Sequence, residues 1–264
     1  MKQLMRYIRT KGWLLALFPL ASLYACSPSS NGSSQENSLD EAEVDSAYVS
    51  LFDGKTLTGW EGDTAYWRVE DGQIIGERKA SDEPLKRNTF LIWKGGQPAD
   101  FELKLQYKIS PEGNSGVNYR SEPVEDVTHA LKGYQADIDG QNKYTGQNYE
   151  ERKRTTLAYR GQVVEIPEDH GGESKGNAWT NVLVKDTLGD LDELKNVIKE
   201  NDWNECHIVA KGNRLQHYIN GVLMSDVLDK DTKNGKKSGF IGVQIHVGPP
   251  MQVAFKDIKL KMLN

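Results

Sequence analysis

The segment Phe101–Ile109 alternates strictly between apolar and polar side chains, with the apolar residues at the odd positions. Successive side chains of a β-strand point to opposite faces, so this pattern predicts a strand with one buried face. The dipeptide Asn220-Gly221 separates two further strand-like segments, 214–219 and 222–227, and is typical of a β-hairpin turn. Many short strands joined by such turns favour an all-β fold. We expect a jelly-roll β-sandwich of two antiparallel sheets.

One helix is expected within residues 190–200, where Leu191, Leu194, Val197 and Ile198 recur at helical spacing. Acidic residues in its first turn favour the same interpretation, because they complement the helix dipole. A short isolated helix in a strand-rich chain usually packs at one edge of the sandwich. No internal repeat or second linker is visible, so residues 47–264 are expected to form a single domain.

Residues 1–25 have the composition of a secretory signal peptide, with four basic residues before or at the start of an apolar stretch. The sequence Leu23-Tyr24-Ala25-Cys26 resembles the lipobox of bacterial lipoproteins, and an ordinary secretory signal is the alternative. The lipobox implies that Cys26 is lipidated and anchors the protein to a bacterial membrane in the cell envelope. Residues 26–46 are rich in Ser, Asn, Gly and acidic side chains, and we expect a disordered tether there.

The net charge of the chain is −5, and it becomes more negative if the basic signal segment is removed. A nucleic-acid partner would require a basic surface, so this balance argues against one. Cys206 alternates in phase with Ile208 and Ala210, which predicts a buried structural thiol rather than a catalytic one.

Three predicted strands carry unusual polar residues on the face opposite their apolar side chains. In the segment 133–139, Gln135, Asp137 and Asp139 share one face. The same alternation places Asn118 with Arg120, and Gln244 with His246. Outer faces of antiparallel sheets are polar by default, so solvation is the competing explanation for each residue alone. Together they predict a carbohydrate site, because sugars require planar hydrogen-bonding groups and aromatic surfaces.

The segment 149–154 adds a cluster of charged residues after a turn-rich stretch. By composition alone it is a solvated loop. Glu150 could instead face the carboxylate of Asp137, since glycoside-cleaving sites commonly pair two carboxylates. Tyr149 and Arg154 are then candidates for binding the substrate.

An ordered series of motifs over about residues 50–263 resembles the 3-keto-disaccharide hydrolase domain family. The motifs are Leu51-Phe52-Asp53-Gly54, Trp67-Arg68-Val69-Glu70-Asp71-Gly72, Asn114-Ser115-Gly116, Gly133-Tyr134-Gln135-Ala136-Asp137, Trp203-Asn204 and Gly239-Phe240-Ile241-Gly242-Val243-Gln244-Ile245-His246. The resemblance implies a concanavalin-A-like jelly roll that cleaves 3-keto-glycosides or 3-keto-disaccharides, by hydrolysis or by elimination. It also implies a functional link to a dehydrogenase that oxidises the C3 hydroxyl of a sugar.

Cleavage of such a substrate needs a base, a group that stabilises an enolate oxygen, and an acid for the leaving group. For the base, the candidates are Asp137 and His246, and Glu150 is the candidate acid. Arg120 would stabilise the oxyanion. A divalent cation held by Asp137, Glu150 and His246 is an alternative electrophile. Three amides complete the candidate substrate-binding set: Gln135, Gln244 and Asn118.

A non-catalytic, lectin-like carbohydrate-binding module is the alternative function, because the same fold hosts both. Its candidate platforms are Trp60, Trp93 and Trp179. The cluster of Asp137, Arg120 and His246 favours an enzyme.

Overall fold

The computed structural model describes residues 47–264. The predicted signal peptide (1–25), the predicted tether (26–46) and Cys26 lie outside these residues. No helix between residues 47 and 264 is long and apolar enough to cross a bilayer.

The described residues form two sheets of 10 and 9 strands and one short helix. Sheet A contains β1 (Val49–Ser50), β3 (Trp67–Glu70), β4 (Gln73–Arg78), β6 (Phe101–Ile109), β11 (Gln162–Ile166), β14 (Leu183–Thr187), β15 (Asn204–Lys211), β16 (Arg214–Ile219), β17 (Val222–Asp229) and β19 (Met251–Met262). Sheet B contains β2 (Trp60–Glu61), β5 (Thr89–Trp93), β7 (Asn114–Pro123), β8 (Leu131–Asp139), β9 (Asn148–Glu151), β10 (Thr155–Ala158), β12 (Ser174–Lys175), β13 (Ala178–Trp179) and β18 (Phe240–Ile245).

Sheet A has the spatial order β14-β11-β17-β16-β15-β6-β19-β4-β3, with β1 beside β19. Sheet B has the order β12-β13-β10-β9-β8-β7-β18-β5-β2. Two pairs, β11 with β17 and β10 with β13, are parallel, and the other pairs are antiparallel. The predicted all-β jelly-roll sandwich is therefore confirmed, with one parallel pair in each sheet as a refinement.

The hydrophobic core fills the space between the two sheets. The odd-numbered residues of β6 are buried, as their alternation predicts, and they belong to the same apolar cluster as Tyr134, Ala136 and Ile138 of β8. Phe101 contacts Tyr119 across the sandwich edge-to-face, with ring centroids 6.1 Å apart. Burial of each large apolar side chain contributes about 1.5–3 kcal/mol, so this layer fixes which face of β8 points outward.

The predicted helix is present but shorter than its apolar stripe, and Leu191 of that stripe is exposed. The helix α1 (Leu191–Asn196) begins after Asp190, whose carboxylate accepts hydrogen bonds from the backbone N–H groups of Asp192 and Glu193. It ends before Ile198, which is nevertheless buried. Asn220 and Gly221 both have positive φ, as a type I′ hairpin turn requires.

Cys206 is a buried free thiol, as predicted. Its burial raises the pKa of the thiol to about 12, which makes it unreactive at neutral pH.

Candidate active site

A cleft of about 440 Å³ opens on the outer face of sheet B, the face opposite the core. Strands β7, β8 and β9, the end of β18 and the loops after β8, β9 and β12 contribute to it. The residues that line this cleft are Asn88, Asn114, Gln135, Asp137, Tyr144, Gln147, Tyr149, Glu151, Arg152, Lys153, Thr155, Asn177 and His246.

The alternation of β8 and β18 explains which side chains reach the cleft. Each strand buries its apolar residues in the core, so Gln135 and Asp137 on β8, and Gln244 on β18, face outward. His246 follows β18 in the same phase. The structure brings these four predicted residues to one side of sheet B. Gly116 of β7 allows the Gln135 side chain to lie directly against the backbone of β7. A Cβ atom at this position would lie 2.5 Å from the side-chain Cδ of Gln135.

Asp137 lies at the centre of a hydrogen-bonded group. Its Oδ1 accepts from Nε2 of Gln135 at 2.6 Å, and its Oδ2 accepts from Nε2 of Gln147 at 2.5 Å. Burial raises the pKa of Asp137 to about 7, and the neighbouring carboxylates of Glu151 and Asp139 act in the same direction. The two amides oppose this shift because they stabilise the ionised form. Asp137 can therefore take up and release a proton near neutral pH.

Glu151 is a second carboxylate in the cleft, which the sequence reasoning missed. Its Oε1 accepts from Nδ2 of Asn88 at 3.1 Å and its Oε2 from Nε2 of Gln244 at 3.4 Å. Burial raises the pKa of Glu151, while Arg152, with its Nε 3.7 Å from Oε1, opposes the shift. The signal was present in the sequence. Glu151 is two residues after Tyr149, so both share the face that β9 turns toward Gln135.

The predicted amides lie in and behind the cleft. Nε2 of Gln244 donates to Oε1 of Gln135 at 3.0 Å, so β18 supports the amide that holds Asp137. Asn118, the cross-strand partner of Gln135 on β7, is fully buried; it donates to Oγ of Ser121 at 3.4 Å and does not line the cleft. At the cleft wall, the hydroxyl of Tyr149 donates to Oδ1 of Asn177 at 3.2 Å.

Arg120 is not in the cleft, contrary to the sequence prediction. The register of β7 with β8 shifts after Tyr119, and Arg120 has a positive φ of 44°. This irregularity turns its side chain away from the face of Asn118. The buried guanidinium donates to the carbonyls of Ala99 and Gly212 and to Oδ1 of Asp100 instead. Arg120 lines a separate cavity of about 550 Å³.

Glu150 and Arg154 are also placed outside the cleft, which corrects their predicted roles. Glu150 pairs with Tyr134 in the register of β8 and β9, so it points into the sandwich. Its Oε2 lies 2.5 Å from Nε of Arg154, and its Oε1 lies 3.0 Å from Nζ of Lys153. Arg154 also binds Asp229 at 2.6 Å. These buried ion pairs connect the two sheets and leave neither side chain free for substrate.

The predicted cation site does not fit the residues present. Asp137 and His246 lie on the cleft side of sheet B, whereas Glu150 is on the core side and is neutralised by Arg154 and Lys153. Within residues 47–264, no three His, Cys, Asp or Glu side chains converge as metal ligands. Both oxygens of Asp137 accept amide hydrogens, an arrangement that suits a proton-transferring carboxylate.

The other half of the same sheet face is apolar. Phe90, Ile92 and Leu131 form a small cluster there, and a Cβ atom on Gly242 would lie 2.7 Å from Leu131. The missing side chain of Gly242 thus leaves room for a side chain of the protein itself. None of the three predicted tryptophan platforms lines the cleft. Two tyrosines line the cleft, Tyr149 and Tyr144, and Tyr144 is the more exposed, with 45% of its surface accessible.

Comparison with known proteins identifies similar chains. The 3-keto-disaccharide hydrolase of Bacteroides thetaiotaomicron is 23% identical over 259 residues, which cover 88% of this chain and 86% of the relative. A structure of a candidate glycosyl hydrolase from Parabacteroides distasonis has a TM-score of 0.54 at 20% identity, covering 85% of this chain and 97% of that chain. A second one from the same organism has a TM-score of 0.50 at 18% identity, covering 82% and 99%. These two structures establish the shared fold.

The motif resemblance noted in the sequence extends over nearly the whole described part of the chain. Residues 47–261 match the family described as the 3-keto-alpha-glucoside-1,2-lyase-like domain, and these residues include both sheets and the cleft. The chain therefore belongs to the 3-keto-alpha-glucoside-1,2-lyase-like domain family.

Proposed function

We propose that this protein is a carbohydrate-active enzyme that cleaves the glycosidic bond of 3-keto-glycosides, including 3-keto-disaccharides. The family description and the hydrolase from Bacteroides thetaiotaomicron support the substrate class. One observation carries the proposal for chemistry: a buried carboxylate, Asp137, lies in a polar cleft with a pKa of about 7. Groups with such shifts are typical of proton-transfer sites.

The chemistry follows from the ketone. A carbonyl at C3 acidifies the hydrogen on C2, so a base can remove that proton and the electron pair forms an enolate. The enolate then expels the group on C1, which takes a proton as it leaves. The product is a C1–C2 unsaturated 3-keto sugar, and addition of water across that double bond gives net hydrolysis.

Asp137 is the base in this proposal. A base works best when its pKa is close to the working pH, and Asp137 meets this condition. Gln135 and Gln147 fix both carboxylate oxygens, so the base is held in one orientation before the substrate binds. Gln244 supports Gln135 from β18, which lies on the far side of β7.

Glu151 takes the role that the sequence reasoning gave to Glu150. Its raised pKa favours the protonated form, which can donate to the leaving oxygen. Arg152, the guanidinium beside it, takes over the role predicted for Arg120 and stabilises the enolate oxygen. Lys153 is less suited, because it is engaged by Glu150 and by the backbone carbonyl of Asn234.

The lectin-like alternative predicts a surface that binds sugar without reacting. Exposed Tyr144 is compatible with it. The pairing of two buried carboxylates with raised pKa values favours an enzyme, because a binding surface gains nothing from the cost of burying them.

A pair of substrates that differ only at C3 tests the proposed function. The purified protein is incubated with a chromogenic 3-keto-glucoside and with the same glucoside bearing a C3 hydroxyl, and release of the chromophore is followed. We expect release from the keto compound alone, because only the ketone acidifies C2. Equal release from both compounds, or binding of the keto compound without release, would contradict the proposal.

The cellular setting is a further proposal, and it rests on the sequence alone. Cys26 would carry a lipid that holds the domain at a membrane of the cell envelope, close to a dehydrogenase that supplies the 3-keto sugar. Mass spectrometry of the protein from a membrane fraction tests the first part. An unmodified cysteine, or cleavage at another position, would refute it.

A further inference from the structure

His217 is a buried histidine in the core, on β16 of the sheet that does not carry the cleft. Leu215 and Ile219, its neighbours on the same face of β16, are apolar core residues. A polar side chain in such a place costs stability unless its hydrogen bonds are satisfied. The partners of His217 therefore indicate what the position is used for.

Both ring nitrogens of His217 reach across to sheet B. Nδ1 lies 3.2 Å from the backbone carbonyl oxygen of Gln147, and Nε2 lies 2.8 Å from the hydroxyl of Tyr119. A carbonyl oxygen can only accept, so Nδ1 carries the hydrogen and Nε2 accepts from the tyrosine. The Tyr119 oxygen accepts in turn from Nδ2 of Asn148 at 3.3 Å. His217 and Tyr119 thus hold residues 147 and 148 in place through hydrogen bonds from the core side of sheet B.

Gln147 is also the residue whose side chain donates to Oδ2 of Asp137. The other bond to its carbonyl, from the backbone N–H of Asp137, is long at 3.4 Å. The contact with His217 is therefore the shorter of these two hydrogen bonds to the Gln147 carbonyl oxygen. A shift of the peptide would move the Gln147 amide away from the carboxylate on the opposite side of the sheet.

We propose that His217 is a positioning residue, which acts through the backbone of Gln147 to orient the Asp137 carboxylate in the cleft. The inference rests on the proposed function of Asp137 as the base. Tyr119 and Asp226 are the titratable groups near His217, and burial lowers the pKa of the imidazole to about 4. The ring is thus neutral over the working pH range, as this tautomer requires.

A pair of substitutions separates positioning from packing. In His217→Asn, the amide Nδ2 lies close to where Nδ1 was and can still donate to the Gln147 carbonyl. In His217→Gln, the amide reaches toward Tyr119 and leaves that carbonyl without its donor. Cys206→Ala, in the core of the neighbouring strand, is the control for a general loss of packing.

The experiment measures aglycone release against pH and, independently of turnover, the titration of the Asp137 carboxyl by carbon NMR in the folded full-length protein. In His217→Gln, we expect kcat to fall by about tenfold or more with little change in KM. The acidic limb of the rate profile and the Asp137 titration should both move to higher pH, because the ionised carboxylate loses a donor. His217→Asn should retain most of the activity, and Cys206→Ala should keep the wild-type profile.

An unchanged Asp137 titration in His217→Gln would overturn the inference, whatever its effect on thermal stability. The same pH shift in Cys206→Ala would also overturn it, because the effect would then be one of packing. Failure of the proposed function would look different. The wild-type protein would release no aglycone, while the NMR titration would still report whether His217 controls Asp137.

Discussion

Glu150 and Glu151 are consecutive residues of β9, and their carboxylates lie on opposite sides of sheet B. Glu150 is buried in the sandwich, 2.5 Å from Nε of Arg154. Glu151 faces the cleft, where Asn88 and Gln244 donate to it. The same chemical group therefore has two different tasks at adjacent positions. Glu150 stabilises the contact between the sheets, and we propose that Glu151 transfers a proton.

The substitution Glu151→Gln should lower kcat for a 3-keto-disaccharide by about 100-fold, because an amide cannot donate the proton that the leaving sugar needs. The loss should be much smaller with a nitrophenol leaving group, which departs without protonation. Aglycone release from both substrates is the measurement. An equal loss with the two leaving groups would show that Glu151 is not the acid.

Glu150→Gln is the matched control, since the same atoms change one residue away. Removal of one partner from a buried ion pair costs about 3–5 kcal/mol, so we expect a lower midpoint of thermal unfolding. Activity of the molecules that remain folded should be retained at moderate temperature. A specific loss of kcat in a stable Glu150→Gln protein would return the acid role to Glu150.

Two buried groups should make opposite contributions to the pH dependence of stability. The pKa of Asp137 is raised from 3.8 to about 7, so its contribution to stability is lost as the pH rises through this range. The pKa of His217 is lowered from 6.5 to about 4, so its contribution is lost as the pH falls. Each changes the free energy of unfolding by about 1.4 kcal/mol per pH unit, and between pH 4 and 6.5 the two oppose each other.

Asp137→Asn should expose this compensation. The variant should be more stable than the wild type at pH 8, because it no longer buries a charge. Its free energy of unfolding should fall more steeply than that of the wild type between pH 6.5 and 4. Urea unfolding at pH 4.5, 6 and 8 provides the comparison. Parallel pH profiles for the two proteins would refute the shifted pKa of Asp137.

Period-two alternation was enough to predict the part of the site that regular strands present. It assigned Gln135, Asp137, Gln244 and His246 to one sheet face, and the structure brings them together. It also placed Asp139 on this face, but the Asp139 carboxylate accepts from the backbone N–H groups of the following turn instead.

The predictions of site residues failed where the backbone departs from regular alternation. They also failed where a side chain reaches the cleft from a loop. Arg120 follows a register shift in β7, which no periodic pattern contains. Glu150 was assigned to a loop, but it lies in β9, whose register sends it to the core. Gln147 and Asn88 reach Asp137 and Glu151 from segments outside the strands, so pairing rules could not place them.

Tyr144 should bind the aglycone. It is exposed at the cleft rim, and its backbone N–H donates to Oδ1 of Asp139 at 2.8 Å, so the ring is presented by a fixed turn. Tyr144→Ala should raise KM for a 3-keto-disaccharide by about tenfold with little change in kcat, because the lost stacking is distant from the reacting atoms. Tyr159→Ala, which removes an equally exposed tyrosine outside the cleft, should have no effect on KM. An equal change in both variants would argue against a binding role.

His246 remained as the competing base after the sequence analysis, and the two candidates can be distinguished. His246→Asn should reduce kcat less than Asp137→Asn does, because His246 is half-buried at the cleft edge. His129→Asn, at a position of positive φ outside the cleft, is the control. If His246→Asn abolishes turnover while Asp137→Asn does not, the histidine is the base.

In the mechanism that we propose, Asp137 removes the C2 proton of a 3-keto-glycoside. The most direct test of this step is the exchange of that hydrogen for deuterium in heavy water, followed by NMR together with aglycone release, for the wild type and for Asp137→Asn. We predict that the wild type catalyses both processes, and that Asp137→Asn binds the substrate but loses exchange and release together. Exchange and release at the wild-type rate in the folded variant would contradict the account.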